Sequence, residues 1–165
     1  MPQKLIQAEW PIDKGYAKAF HVSEVTSLCD WADENIILPS STNRESGPWV
    51  TARTPYNRGP IEGFLMPFVR QSTMMACTQV GKTMAHLFIP MLYTIAENPY
   101  PTALIYPSGD EAKSISETRI QKLIEACPAT ACKIPSNPDS YKLRRMIFPG
   151  MPLFVLSAGT LAEAK

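Results

Sequence analysis

The sequence predicts an α/β protein with an incomplete parallel sheet, flanking helices and a β-hairpin near the C-terminus. An apolar run at residues 102–106 is typical of a buried strand, and amphipathic runs on both sides of it are typical of helices. Two further apolar runs flank Pro149-Gly150, as expected for two strands joined by a tight turn. The order strand, loop, helix, strand, helix is that of a βαβ unit, whose strands are parallel.

The composition agrees with a folded domain. Of the 165 residues, 45% are hydrophobic and 19% are charged, so an ordered core is expected. The net charge of +1 does not reveal a nucleic-acid partner, and the four cysteines have no metal-site spacing. We expect no metal-binding cysteine cluster, no membrane span and a cytoplasmic location.

The first third of the chain predicts one helix between two irregular segments. Residues 1–22 are predicted to form an irregular arm. Apolar positions at helical spacing predict a helix over 22–35, with Ser23 as its N-cap. Residues 38–60, rich in Pro, Ser, Thr, Gly and Asn, predict a long ordered or semi-ordered loop.

The middle of the chain predicts a strand and a helix around a central loop. Gly59-Pro60 is predicted to open a short helix over 61–68, and residues 69–76 form a β-type run. A helical pattern then extends from Lys82 to about Glu97. Pro90 lies inside it and lacks the N–H that a helix interior needs, so a kink or break is expected there.

The last third supplies the remaining predicted elements. The strand Thr102–Tyr106 ends at Pro107, and residues 108–126 form an amphipathic helix with Asp110 and Glu111 in its first turn. Strands are predicted over 142–148 and 152–157. The side chains of the helix predicted to face inward are Ala112, Ile115, Ile120, Leu123 and Ile124.

The central loop carries the clearest chemical signal. Its sequence, Ala76-Cys77-Thr78-Gln79-Val80-Gly81-Lys82-Thr83, matches the second half of the phosphate-binding pattern Gly-x-x-x-x-Gly-Lys-[Ser/Thr], with Ala76 in place of the first glycine. Gly81 permits a close backbone approach, Lys82 would contact the β- and γ-phosphates, and the Thr83 hydroxyl would ligate Mg²⁺. With a β-type run before the loop and a helix after it, the pattern predicts a P-loop NTPase-like fold that binds ATP and Mg²⁺.

The predicted binding residues are Thr78 to Thr83, since the N–H groups of this stretch would point at phosphate oxygens. Gln79 has two interpretations, a polar loop residue without a task or a contact to the γ-phosphate or a nucleophilic water. Hydrolysis also needs an acidic residue on a neighbouring strand, followed by a glutamate that activates water. Asp110-Glu111 lies where a helix begins, so helix capping is its expected role, and the catalytic residues stay unassigned.

Several motifs in order resemble the N-terminal ATPase region of large terminase subunits from lambda-like tailed phages. The resemblance covers roughly residues 22–160. It is carried by Trp31-Ala32-Asp33-Glu34-Asn35, Leu38-Pro39, Gly47-Pro48-Trp49, Arg53-Thr54-Pro55-Tyr56, Gln79 to Thr83, Tyr106-Pro107-Ser108, Phe148-Pro149-Gly150 and Leu156-Ser157-Ala158-Gly159.

The resemblance implies an ATP-driven motor that moves viral DNA into a prohead. It places Arg53 and Tyr56 near the adenine, with Tyr56 as a stacking platform or as simple packing, and it turns Tyr106-Pro107-Ser108 toward nucleic acid. The implied partners are double-stranded viral DNA, the small terminase subunit, the portal and prohead, and further copies of the chain. The division implied is an arm, helix and adenine-side loop at 1–60 and a partial P-loop ATPase core at 61–165.

The family's acidic strand follows shortly after the segment that matches Ser157-Ala158-Gly159, and a nuclease domain comes later. Neither has a counterpart in this sequence, which predicts a binding apparatus without the catalytic half. Two alternatives stay open: a nucleotide-, DNA- or partner-binding fragment that does not hydrolyse ATP, and a small P-loop kinase. The kinase would have to use Arg119, Arg144 and Arg145 to bind its acceptor.

Overall fold

The strands and helices are taken from a computed structural model, which describes residues 27–41 and 46–159. Within these ranges the chain is mixed α/β, as predicted. The strands are β1 (Ile37–Leu38), β2 (Gly47–Pro48), β3 (Thr102–Tyr106), β4 (Tyr141–Lys142), β5 (Arg145–Phe148) and β6 (Met151–Ser157). The α-helices are α1 (Leu28–Asn35), α2 (Arg58–Glu62), α3 (Ile89–Ala96), α4 (Gly109–Ile115), α5 (Gln121–Ala126) and α6 (Pro128–Ala131).

The main sheet has four strands in the order β3-β6-β5-β4. Strand β3 is parallel to β6, whereas β5 is antiparallel to β6, so the sheet is mixed. The predicted hairpin is confirmed, and Gly150 in its turn has φ +79°, a conformation that favours glycine. A turn at 143–144 divides the strand predicted over 142–148 into β4 and β5.

Strand β3 was predicted to be buried, and this is wrong. It pairs only with β6 in the part of the chain that the structure describes, so it is an edge strand. Its side chains alternate, with Leu104 and Tyr106 buried and Ile105 53% exposed. An apolar run therefore marks a strand here without marking burial on both faces.

The predicted helix over 108–126 is confirmed with one change. Ser108 caps it by accepting a hydrogen bond from the Glu111 N–H (3.2 Å), and the predicted inward side chains are buried or partly buried. Between α4 and α5 the helix widens into a π-helical turn, Ser116–Ile120. The Ser116 hydroxyl donates to the Leu143 carbonyl, which ties this turn to the β4–β5 turn.

Helix α1 begins later than predicted. Ser27, in extended backbone, caps it by accepting from the Asp30 N–H (3.1 Å). The predicted cap, Ser23, and the predicted arm over 1–22 lie outside the described residues. The Glu62 carboxylate accepts from Ser27 Oγ (2.8 Å) and from the Leu28 and Cys29 N–H groups, so α2 supplies a second cap to α1.

The segment 38–60 was predicted to be a long ordered or semi-ordered loop, and its described residues are ordered and include short regular elements. Strands β1 and β2 pair within it, and 3₁₀ turns follow at Thr51–Arg53 and Pro55–Asn57. Asp33 orders the segment by accepting from both the N–H and the hydroxyl of Thr51 (2.6 and 2.8 Å). Tertiary hydrogen bonds therefore override the loop-like composition.

The short helix predicted over 61–68 begins at Arg58 instead and ends at Glu62, followed by a 3₁₀ turn, Gly63–Leu65. Pro60 lies in the first turn of α2, where backbone N–H groups have no intrahelical acceptor, so it does not prevent the earlier start.

The helix after the loop is continuous past Pro90, so the predicted break is wrong. A π-helical turn, Met84–Phe88, precedes α3, and the Ile89 N–H bonds to the Met84 carbonyl five residues back. Pro90 then occupies the start of α3, where its missing N–H is tolerated. The change of helix type takes the place of a kink.

The core lies between α3, the sheet and the helix over 109–126. Trp31 of α1 contacts Tyr93 of α3 edge to face, with ring centroids 5.4 Å apart. Among the described helices, none has the length and apolar character that crossing a bilayer requires.

Candidate phosphate-binding site

The segment that enters the loop is not a strand. Residues 69–77 have no regular secondary structure, and no described strand pairs with them, so the predicted β-type run is wrong. Most of these side chains are exposed, among them that of Met75, and the side chain of Phe68, just before the segment, is exposed as well. Without a partner to complete a ladder, β propensity alone does not form a strand.

The loop itself turns twice through left-handed backbone. Gln79 has φ +62° and Gly81 has φ +76°. Left-handed residues next to right-handed ones turn successive N–H groups toward the same side, which forms an anion-binding concavity. The sequence pattern predicted this freedom at Gly81, but not at Gln79, where a side chain makes it unfavourable.

The helix that follows presents free N–H groups to the loop. Its first hydrogen bond runs from the Ala85 N–H to the Gly81 carbonyl (2.9 Å). The N–H groups of Lys82, Thr83 and Met84 therefore lie in the first turn, where a helix supplies no acceptor. Such a turn, with the positive end of the helix dipole, is suited to binding phosphate.

A pocket of about 300 Å³ opens at the loop. Four of the predicted residues line it, Gln79, Gly81, Lys82 and Thr83, and Arg119 lines it as well. The remaining lining is apolar and consists of Met84, Phe88 and Leu123. The pocket therefore combines two cationic side chains and a hydroxyl with apolar side chains, and none of its described lining residues is a carboxylate.

Lys82 lies against its own loop. Its Nζ donates to the Cys77 carbonyl (3.1 Å), five residues earlier, which closes the loop around the ammonium group. An ammonium group has three donors, so this bond leaves others for an anion in the pocket. Lys82 and Thr83 also line a second, more apolar pocket with Met74 and Leu87, so they form the wall between two pockets.

Arg119 is a site residue that the sequence placed elsewhere. The pattern offered it only as a possible acceptor contact in the kinase alternative, whereas the structure places it in the lining of the pocket that Lys82 also lines. It projects from the π-helical turn over 116–120, a helix type that often occurs at functional sites. The sequence did not indicate this π-helical turn, because no local residue pattern distinguishes it from an α-helix.

The hydroxyl of Tyr106, at the carboxyl end of β3, is buried, and within the described part of the chain it has no hydrogen-bond partner. Burial raises the pKa of Tyr106, the nearby Glu111 carboxylate raises it further, and Arg119 opposes both. Arg119 therefore lines the pocket at the loop and also acts electrostatically on Tyr106 at the end of β3.

The upstream residues occupy different positions around the loop. Arg53 and Tyr56 do not line the pocket, and Tyr56 is 59% exposed, which disfavours simple packing as its role. Thr78 is exposed in the turn, and Val80 is half-buried. Asn57, the residue after Tyr56, was not predicted to be a site residue, yet its Nδ2 donates to the Val80 carbonyl (3.0 Å).

Comparison with protein families identifies one family that the chain matches. Residues 43–165 match the family described as phage terminase large subunit gpA, ATPase domain. The chain belongs to this family. No curated protein and no solved structure matches it.

The family membership confirms the resemblance seen in the sequence. The match starts after the Trp31–Asn35 motif and includes the loop, β3 and the hairpin. It supports a role in phage DNA packaging and implies the use of ATP.

Proposed function

We propose that the loop over 76–83 binds the phosphates of Mg²⁺-ATP, and that the chain is the ATP-binding part of a terminase motor that moves viral DNA into the prohead. One observation carries the proposal: Gly81, Lys82, Thr83 and Arg119 line one pocket. This donor set fits a triphosphate, because it offers two cations and the N–H groups of a helix start to a highly charged anion.

Each predicted residue has a role in this proposal. The backbone of Thr78 to Thr83 would bind phosphate oxygens, and Lys82 would exchange its bond to the Cys77 carbonyl for one to a phosphate. The Thr83 hydroxyl would be the protein ligand of Mg²⁺. Arg119 would add a second positive charge within the same pocket.

The nucleobase is assigned to the segment upstream of the loop. The exposed ring of Tyr56 offers a face on which an adenine can stack, and Arg53 lies three residues before it. The hydrogen bond from Asn57 to the Val80 carbonyl attaches this segment to the phosphate loop. The structure thus connects the two parts that one nucleotide would bridge.

The wider assignments follow the family. We infer a P-loop NTPase-like fold, with residues 1–60 as the adenine-side unit and 61–165 as part of the ATPase core. Double-stranded viral DNA, the small terminase subunit, the portal and prohead, and further copies of the chain are the proposed partners, in the host cytoplasm. The terminase ATPase-domain match supports these partners in general.

Binding of an ATP analogue with and without Mg²⁺ tests the proposal. We expect Mg²⁺-dependent binding that Lys82→Ala weakens by roughly tenfold or more, the loss expected when a hydrogen bond to a charged group is removed. The matched control is Lys122→Ala, which removes an equivalent charge from an exposed surface pair with Glu125. Equal affinity of the Lys82→Ala and Lys122→Ala variants would contradict the loop assignment.

Hydrolysis is a separate measurement, because no carboxylate is among the described residues that line the pocket. Steady-state phosphate release that disappears in Lys82→Ala would show turnover by the chain itself. Binding without Lys82-dependent release would favour the non-hydrolysing alternative.

A further inference from the structure

Asn57 is a buried polar residue that the proposed chemistry does not use. It ends the 3₁₀ turn Pro55–Asn57 and is 0% exposed, although its neighbours Tyr56 and Arg58 are exposed. Burying a primary amide is unfavourable unless its hydrogen bonds are made. Its position between two exposed residues therefore calls for a physical reason.

The amide of Asn57 lies directly against the phosphate loop. Its Nδ2 donates to the Val80 carbonyl (3.0 Å), a contact between residues 23 positions apart in sequence. The same nitrogen would lie 3.3 Å from a Cβ at Gly81, tighter than ordinary van der Waals contact. Asn57 thus occupies the space that the missing side chain of Gly81 leaves.

The amide group of Asn57 has one favourable orientation toward the Val80 carbonyl. Asn57 Oδ1 is buried and has no hydrogen-bond partner among the residues that the structure describes. Rotating the amide by half a turn would place Oδ1 against the Val80 carbonyl, an acceptor facing an acceptor, so the observed orientation is the favourable one. The unpaired oxygen is unfavourable for stability, and its retention indicates that the donor side matters more.

The consequence follows from the geometry of one peptide unit. The Val80 carbonyl and the Gly81 N–H belong to the same planar trans peptide, so they point in opposite directions. Asn57 is buried, whereas Gly81 lines the phosphate pocket. When Asn57 holds the carbonyl, the N–H is directed away from Asn57.

We infer that Asn57 is a positioning residue that locks the Val80–Gly81 peptide so that the Gly81 N–H faces the phosphates of the nucleotide. The inference rests on the proposed function of the loop and adds to it the device that sets the loop's orientation. The same contact attaches the segment containing Arg53 and Tyr56 to the phosphate loop, because Asn57 directly follows Tyr56.

The sequence permits a direct observation of this peptide. Val80-Gly81 is the single Val-Gly pair in the chain. Protein labelled with carbonyl-¹³C valine and ¹⁵N glycine therefore gives one carbonyl–amide correlation by NMR, from the peptide in question. Asn57→Ala should move this signal in the nucleotide-free protein, and ATP should no longer shift it as in the wild type.

The matched control is Asn35→Ala. Asn35 Nδ2 also donates to a backbone carbonyl, that of Trp31 (2.9 Å), but at the end of α1. We expect Asn57→Ala to weaken ATP binding by roughly tenfold or more, as for one lost bond to a charged group, while Asn35→Ala leaves affinity and the signal unchanged. Both variants should have similar thermal midpoints without nucleotide, a result that separates positioning from folding.

Asn57→Asp is the second variant and keeps the side-chain volume while replacing the donor by a carboxylate oxygen. It should reproduce both effects, and it keeps the test decisive if Asn57→Ala fails to fold. A wild-type signal or wild-type ATP affinity in the folded Asn57 variant would overturn the inference. If Lys82→Ala leaves ATP binding intact, the proposed function fails, and the Val80–Gly81 signal still shows whether Asn57 holds the loop.

Discussion

The phosphate-loop region, residues 69–83, and the sheet region, residues 102–126 and 141–157, are built in opposite ways. In the sheet region the inward side chains of β6, such as Leu153 and Val155, are 0% exposed and pack under a capped helix. In the loop region the entering segment has no strand partner, Met75 is fully exposed, and Gln79 adopts left-handed backbone.

The difference separates stability from function. Buried apolar contacts hold the sheet region together, whereas strained and exposed backbone is characteristic of ligand sites. If this division is correct, substitutions in the sheet region change the free energy of unfolding, and substitutions in the loop region change nucleotide affinity.

The largest expected effect is in the sheet. Leu153→Ala removes a fully buried side chain from the central strand β6 and should lower the free energy of unfolding by about 3 kcal/mol, from lost burial and the cavity left behind. Urea unfolding measures it. Leu87→Ala, which truncates a 39% exposed leucine beside the loop, should lose less than about 1 kcal/mol. Equal losses in the two variants would remove the contrast between the regions.

The next effect concerns Arg119, which lines the pocket at the loop. Arg119→Ala should weaken ATP binding by about 1.5–3 kcal/mol, the range for a hydrogen bond to a charged group, and should change the free energy of unfolding by less than about 0.5 kcal/mol. Isothermal titration with an ATP analogue measures the first and urea unfolding the second. Arg145→Ala, at an exposed position of β5 outside the pocket, is the control. An Arg119→Ala variant that binds as tightly as Arg145→Ala would place the phosphates elsewhere.

Local signals made the sheet region predictable. The strand at 102–106, the helix after it and the hairpin around Pro149-Gly150 each follow from a periodicity, a cap or a turn that a few adjacent residues encode. The Gly81-Lys82-Thr83 motif is equally local, and the succession of motifs identified the terminase family before the family comparison confirmed it.

The features that the sequence did not reveal depend on tertiary packing. Residues 69–76 have β propensity, but a strand also needs a neighbour, which the described part of the chain does not provide. Arg119 reaches the pocket only through the fold of its helix, and Asn57 meets Val80 across 23 positions in sequence. The nucleotide contacts of Thr78 to Thr83, Arg53 and Tyr56 stay predictions.

A smaller effect is expected at the cap that α2 supplies to α1. Desolvation raises the pKa of Glu62, but hydrogen bonds from Ser27, Cys29 and Leu28 outweigh it, so the pKa lies below the ordinary 4.5. The unfolded chain then binds a proton more readily than the folded one. The stabilisation is therefore present above pH of about 4.5 and is lost as the pH falls through the folded pKa.

Glu62→Gln should accordingly lower the free energy of unfolding near neutral pH by about 1 kcal/mol, the usual value of a helix cap. It should also make stability less dependent on pH in the acid range. Chemical unfolding as a function of pH measures both effects, with Glu34→Gln, at an exposed position of α1, as the control. An unchanged acid slope in Glu62→Gln would show that the cap does not contribute to folding.

The smallest effect is at Gln79 and decides between its two interpretations. Left-handed backbone at a residue with a side chain costs about 1–2 kcal/mol, and glycine returns about half of this as extra freedom of the unfolded chain. Gln79→Gly should therefore raise the free energy of unfolding by about 0.5 kcal/mol, whereas Gln71→Gly, at an exposed residue of the entering segment without positive φ, should not. If Gln79 has no chemical task, ATP binding and phosphate release stay at the wild-type level. If its side chain contacts the γ-phosphate or a water, the more stable variant is the less active one, and strain at this residue is retained for function.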